Sequence, residues 1–120
     1  MLKSYKDLQV WQKSYGQCLS VYKTTRNFPQ EEKYVLVSQM RRSSISIPSN
    51  IAEGYGRKTT PEYIHSLYIA YGSNCELETQ FLLARDLNYI SGRDGEMLQK
   101  GVEEIERMLK ALSGPWKRST

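Results

Sequence analysis

The chain has one histidine and two cysteines as raw material for catalysis. His65 follows Glu62 at a spacing that puts both on one helical face, which is one half of a di-iron bundle site. The full site needs a second such motif and two further inward glutamates, and one histidine cannot supply it. Any Ser-His-Asp or Cys-His arrangement would also run through His65, which falls on the polar side of its helix with no orienting partner. No arginine stands a turn ahead of His65, as it does in helical-bundle ribonucleases. Gly54-Tyr55-Gly56-Arg57-Lys58 lacks the spacing of a Walker loop and the Ser or Thr that follows its Gly-Lys. Cys18 and Cys75 have no CxxC spacing, so neither a thiolate zinc site nor a disulfide framework is expected. They read as two half-buried thiols in a reducing cytoplasm. The expectation is no enzyme, no metal and no cofactor.

The basic residues point elsewhere. Lys and Arg number 17 against 13 Asp and Glu, a net charge of +4, but the excess is uneven. Residues 1–60 hold ten Lys/Arg and four Asp/Glu, whereas residues 61–120 hold seven and nine. Arg41-Arg42 and Arg57-Lys58 are adjacent pairs, Tyr55 stands beside the second, and Lys23 and Arg26 lie near the end of the first helix. Cations interleaved with an aromatic suit phosphate contact with base stacking. Arg57 and Lys58, on an exposed turn with Tyr55, are the leading candidates, followed by Lys23 and Arg26. Arg41 and Arg42 have a competing role. Glu78 interrupts an apolar stripe, where a carboxylate is costly unless paired. Arg41 or Arg42 is expected to meet Glu78, or Glu76 one face away, as a structural ion pair.

These residues need helices to position them. With 39% apolar and 25% charged residues, a chain of 120 suits one soluble domain. It has no apolar run long enough to cross a membrane and no signal-peptide pattern at its start. Phe28-Pro29, Thr60-Pro61, Ser91-Gly92 and Gly114-Pro115 divide it into four segments of helical period. Helices are expected at about 5–27, 30–57, 61–90 and 94–113, in a domain spanning 1–114, with a short basic tail at 115–120. The expected core faces are Leu8, Trp11, Tyr15, Cys18 and Tyr22 in the first helix; Val37, Met40, Ser44, Ile47 and Ile51 in the second; Tyr63, Leu67, Ala70, Asn74, Leu77, Phe81 and Ala84 in the third; and Leu98, Val102, Ile105, Leu109 and Leu112 in the fourth. Ser4 and Thr60 are expected caps. Pro48 lies within the second pattern, so one kinked helix is expected, with Ser43, Ser44 and Ser46 free to satisfy carbonyls. Gly54 and Gly56 are expected to provide its exit. Short loops imply an antiparallel up-down-up-down four-helix bundle. Ile69, Leu83 and Leu87 lie off the two main stripes of the third helix, and Ile45 lies roughly 130° from the core direction of the second, so a homo-oligomer is expected.

Several stretches resemble the four helix bundle protein family, which includes the 23S rRNA-intervening sequence proteins and Avd, an accessory protein of diversity-generating retroelements. Tyr5-Lys6-Asp7-Leu8-Gln9-Val10-Trp11-Gln12-Lys13-Ser14 is similar to its opening, and Phe28-Pro29 followed by Glu32 to its first loop. The most specific match is Gln39-Met40-Arg41-Arg42-Ser43-Ser44-Ile45-Ser46-Ile47-Pro48-Ser49-Asn50-Ile51-Ala52-Glu53-Gly54. Ala70-Tyr71-Gly72-Ser73-Asn74-Cys75-Glu76-Leu77-Glu78-Thr79-Gln80 resembles its third helix. The resemblance implies a homopentamer with a basic surface and no catalytic residues. For Avd it implies binding of nucleic acid and of a reverse transcriptase, a partner that carries over only if a retroelement lies beside the gene. The function expected is a non-enzymatic, homo-oligomeric accessory protein contacting RNA or DNA phosphates. The alternative is an oligomeric scaffold for protein partners, favoured by the acidic second half and the nine tyrosines.

Overall fold

A computed structural model describes residues 3–114, so the expected tail at 115–120 lies outside the described residues. Among the described residues there are four α-helices: α1 (Gln9–Thr25), α2 (Ser38–Tyr55), α3 (Thr60–Asp86) and α4 (Gly92–Ser113). There is no strand among the described residues. No helix among them is long and apolar enough to cross a membrane.

The helices begin and end for identifiable reasons. Ser4 caps only a 3-10 turn at Tyr5–Asp7, in a reciprocal capping box with Asp7; extended backbone at Leu8 then separates that turn from α1. Before α2, a 3-10 turn at Gln30–Glu32 leads into a π-turn at Lys33–Val37. The cap of α3 is Thr59, one residue earlier than expected, and Thr60 is already helical. Thr59 Oγ1 accepts from Glu62 N at 3.3 Å and donates to the Glu62 carboxylate at 2.8 Å. α3 stops short of Tyr89 because Asn88 takes left-handed backbone at φ 65°, letting Tyr89 N–H reach the Ala84 carbonyl at 2.8 Å in a Schellman-type ending. Ser91 caps α4 through Asp94 N–H.

Packing follows the expected faces in α2, α3 and most of α4, where Met40, Ile47, Ile51, Leu67, Leu77, Phe81, Ile105 and Leu109 are almost fully buried. Leu112, expected in the core, is exposed at the end of α4. The expected face of α1 is corrected by about one position. Val10, Ser14, Gln17, Val21 and Thr25 point inward, while Tyr15 is 49% exposed. Trp11 and Tyr15 stack along the outside with ring centroids 5.0 Å apart. Cys18 is half-buried, but Cys75 is exposed, contrary to expectation.

Contacts along each seam run in opposite register. Cys18 meets Ser44 and Thr25 meets Arg41 between α1 and α2. Ser43 meets Gln80 and Ser46 meets Ser73 between α2 and α3. Tyr71 meets Glu106 and Glu78 meets Gln99 between α3 and α4. α2 continues through the buried Pro48. The serine hydroxyls serve carbonyls one turn earlier than expected. Ser44 Oγ donates to Arg41 O at 2.9 Å and Ser43 Oγ lies 3.2 Å from Met40 O, whereas Pro48 leaves the carbonyl of Ser44 without its helical donor. Gly54 is a packing residue, not an exit. A Cβ on it would stand 2.8 Å from Ser66 Cβ, and Gly56 closes α2 in right-handed backbone.

Candidate nucleic-acid interface

The α1–α2 corner gathers Arg26, Lys33, Arg41 and Arg42. α1 ends in Thr25, whose hydroxyl donates to Val21 O at 2.7 Å and accepts from Arg41 Nε at 3.0 Å. A second Arg41 nitrogen donates to Tyr22 O at 3.4 Å, and the guanidinium lies 4.5 Å from the Tyr22 ring centroid. Arg41 is thus held over α1 by two hydrogen bonds and a cation–π contact. The π-turn turns Leu36 and Val37 inward and leaves Lys33 and Tyr34 outside. Two adjoining recesses result, sharing Lys33, Val37 and Arg41. Arg26 borders one, and Tyr22, Tyr34 and Arg42 border the other. Among the described residues, neither recess has a carboxylate in its wall.

The expected site residues fall into two groups at opposite ends of α2, whose 18 residues span about 27 Å. Arg26, Arg41 and Arg42 belong to the corner. Lys23 is exposed on the last turns of α1 and borders neither recess. Tyr55, Arg57 and Lys58 border a separate recess with Tyr63 and Leu112 at the far end. There the Arg57 guanidinium forms an i,i+4 ion pair with Glu53, so its charge is partly neutralised. Sequence reasoning missed Lys33, Tyr34 and Tyr22. Lys33-Tyr34 is a basic–aromatic pair in its own right, but Glu31-Glu32 directly before it cancels the local charge.

The expected structural ion pair resolves differently for each residue. Arg42 meets Glu76 at 2.7 Å, with both side chains substantially exposed. Arg41 turns to α1 instead. Glu78 turns toward α4, where it accepts from Gln99 Nε2 at 2.8 Å. This corrects the expected Arg–Glu78 contact: the half-buried carboxylate is satisfied by a neutral amide.

No group of three or more His, Cys, Asp or Glu able to hold a metal occurs among the described residues, and His65 is exposed. On the α3–α4 face, Tyr71 OH donates to Glu106 at 3.1 Å and Lys110 pairs with the same carboxylate at 3.1 Å. Burial, then the hydrogen bond to Glu106, raises the Tyr71 hydroxyl above its ordinary pKa, and burial raises the neighbouring Cys75 thiol. Both shifts favour the protonated forms, the reverse of an activated nucleophile. A further recess between α1 and α4 is lined by charges of both signs, Lys13, Lys100, Asp94 and Glu104 among them.

Residues 6–111 match the 23S rRNA-intervening sequence protein family. The chain belongs to that family. A crystal structure of a protein of unknown function from the S23 ribosomal protein family of Bacteroides thetaiotaomicron is similar, with a TM-score of 0.78 and 26% identity. The similarity covers 87% of this chain and 97% of that one. No curated protein matches this chain in sequence. In this member of the 23S rRNA-intervening sequence protein family, the segment expected to be most specific, Gln39–Gly54, lies wholly within α2. It supplies both Arg41 at the corner and Gly54 at the close contact with α3.

Proposed function

We propose that the protein is a non-enzymatic, homo-oligomeric accessory protein that holds RNA or DNA by its phosphates. The observation that carries this reading is the α1–α2 corner, where Arg26, Lys33 and Arg41 border joined recesses whose walls lack carboxylates. Arg41 is already immobilised, so less side-chain entropy is lost when it meets a phosphate. Phosphate contacts fix position and carry no sequence information, so binding is weakly selective. The family's link to a ribosomal RNA intervening sequence supports RNA as one partner. The opposed registers along the seams support an antiparallel up-down-up-down subunit. Exposed Ile45, Ile69, Leu83 and Leu87 support self-association, with the pentamer resting on the family resemblance. A ring of such subunits repeats the basic corner and sums its potential. The location proposed is cytoplasmic. A reverse transcriptase is a partner only where a retroelement adjoins the gene.

The same exposed apolar side chains favour a second reading, an oligomeric scaffold for protein partners with little nucleic-acid affinity. Titrating a structured RNA and a single strand at two salt concentrations separates the two readings. Binding should weaken by about 0.7 log unit per log unit of salt for each phosphate neutralised on a single strand. Arg26→Ala/Lys33→Ala should lower that slope by about 1.4, and Arg57→Ala/Lys58→Ala by less. No binding at about 50 mM salt would favour the scaffold. Light scattering that gives a single 13.9 kDa subunit at micromolar concentration would remove the oligomer from both readings.

A further inference from the structure

We infer that the α1–α2 corner is a single-strand site in which Tyr34 is the platform for one unpaired base and Arg41 and Lys33 hold the flanking phosphates. This rests on the nucleic-acid reading above and sharpens it to a substrate class. Tyr34 is 83% exposed and borders the same recess as Lys33, Arg41 and Arg42. A ring so exposed contributes almost nothing to the core. Val35 beside it is also exposed, but Leu36 and Val37, two and three residues on, are buried, so the turn presents Tyr34 outward while its last two residues anchor the chain. π-turns of this kind recur at functional sites. The Lys33 ammonium lies 5.5 Å from the ring centroid, yet the exposure of the ring leaves area for a base to stack.

The two tyrosines of this recess have different roles. The Tyr22 ring is already covered by the Arg41 guanidinium, so Tyr22 is a positioning residue that fixes a phosphate contact. Tyr34 carries no such neighbour from α1 and is available to a ligand. A duplex presents phosphates to this corner but keeps its bases stacked on one another, so it satisfies Arg41 and Lys33 and leaves Tyr34 unused. A single strand uses all three. Stacking is indifferent to the sugar, so RNA and DNA strands should bind within a few-fold of each other.

The test is fluorescence anisotropy at low salt with single strands of about 12 nucleotides, in RNA and in DNA, and the corresponding duplexes. Wild type, Tyr34→Phe and Tyr34→Ala are compared, each first checked for assembly mass by light scattering. Tyr34→Ala should weaken single-strand binding by about 5- to 150-fold, with the salt slope and duplex affinity unchanged, and Tyr34→Phe should keep wild-type affinity. An abasic strand should bind wild type and Tyr34→Ala alike. Duplex bound as tightly as single strand, with Tyr34→Ala silent, would overturn the inference and leave the phosphate reading standing. A changed assembly mass for Tyr34→Ala would also overturn it, because Tyr34 would then belong to a contact between copies. No binding to any probe would remove both.

Discussion

The α2–α3 seam and the α1–α4 seam each bring a glycine against the facing helix, and the two contacts differ in what lies opposite. A Cβ on Gly54 would stand 2.8 Å from Ser66 Cβ, an atom fixed to the α3 backbone. A Cβ on Gly101 would stand 2.7 Å from Gln17 Oε1, the far end of a flexible side chain. The first seam is closed by small residues, with Ser46 and Ser73 hydroxyls 2.7 Å apart. The second is looser. Gln17 Oε1 is buried with no hydrogen-bond partner among the described residues, and its amide reaches Asn74 only at 3.5 Å. Lys13 and Glu104 meet there as an exposed pair at 3.3 Å. Nearly equal distances therefore mark a rigid constraint in one seam and a yielding one in the other.

Substitution can break that comparison. Gly54→Ala should destabilise by about 1–3 kcal/mol, because α2 and α3 must separate to admit the methyl group. Gly101→Ala should change stability by less than about 1 kcal/mol, since the gain in helix propensity offsets displacement of the Gln17 amide. Urea unfolding of the two variants side by side checks both. If Gly101→Ala proves as costly as Gly54→Ala, the α1–α4 seam is not loose.

A smaller effect is expected on the α3–α4 seam. Glu78→Ala removes a hydrogen bond to a neutral amide, so it should cost about 0.5–1.5 kcal/mol, below the several kcal/mol expected for stranding a buried arginine. Glu76→Ala, which breaks an exposed pair with Arg42, should cost less than about 1 kcal/mol. A large loss from Glu78→Ala in thermal melts would mean that the carboxylate balances a cation after all.

The subtlest change should appear at alkaline pH. Burial raises the Tyr63 hydroxyl, burial and Glu106 raise Tyr71, the hydrogen bond to Glu32 raises Tyr89, and burial raises Cys75. Glu106 also raises Lys110. Each group holds its proton more tightly when folded. Its contribution is therefore full below the ordinary values, 9.0 for the thiol and 10.0 for tyrosine, and fades as pH climbs through the raised ones. The melting temperature should fall from about pH 9 upward, and Tyr71→Phe should flatten part of that fall. A melting temperature constant to pH 11 would contradict the shifts.

The sequence was readable where apolar period and burial coincide. The inward faces of α2 and α3 are visible in Met40, Ile47 and Ile51 and in Leu67, Leu77 and Phe81, whose hydrophobicity alone dictates burial. α1 was misread because its buried positions include Ser14, Gln17 and Thr25, while Trp11, Tyr15 and Leu19 lie partly or largely outside. Thr25 is tolerated inside because it bonds Val21 and Arg41, partners that a periodicity argument does not contain. The corner was half legible for the same reason. Arg26 and Arg41 were visible as charges, but their convergence with Lys33 depends on a ring from α1 and on a π-turn with no obvious sequence mark.

The π-turn also means that the corner is only partly a loop feature. Lys33–Val37 runs directly into Ser38, so the azimuth of Lys33 and Tyr34 about the helix axis is set by the winding of that one turn. Deleting a single residue there would rewind it as ordinary helix and swing Lys33 and Tyr34 by about 100° relative to Arg41. The inward face of α2 would keep its phase. The distance between this protein with a basic corner and one without it is thus a single codon, at the cost of reseating Leu36 and Val37, which the same turn buries.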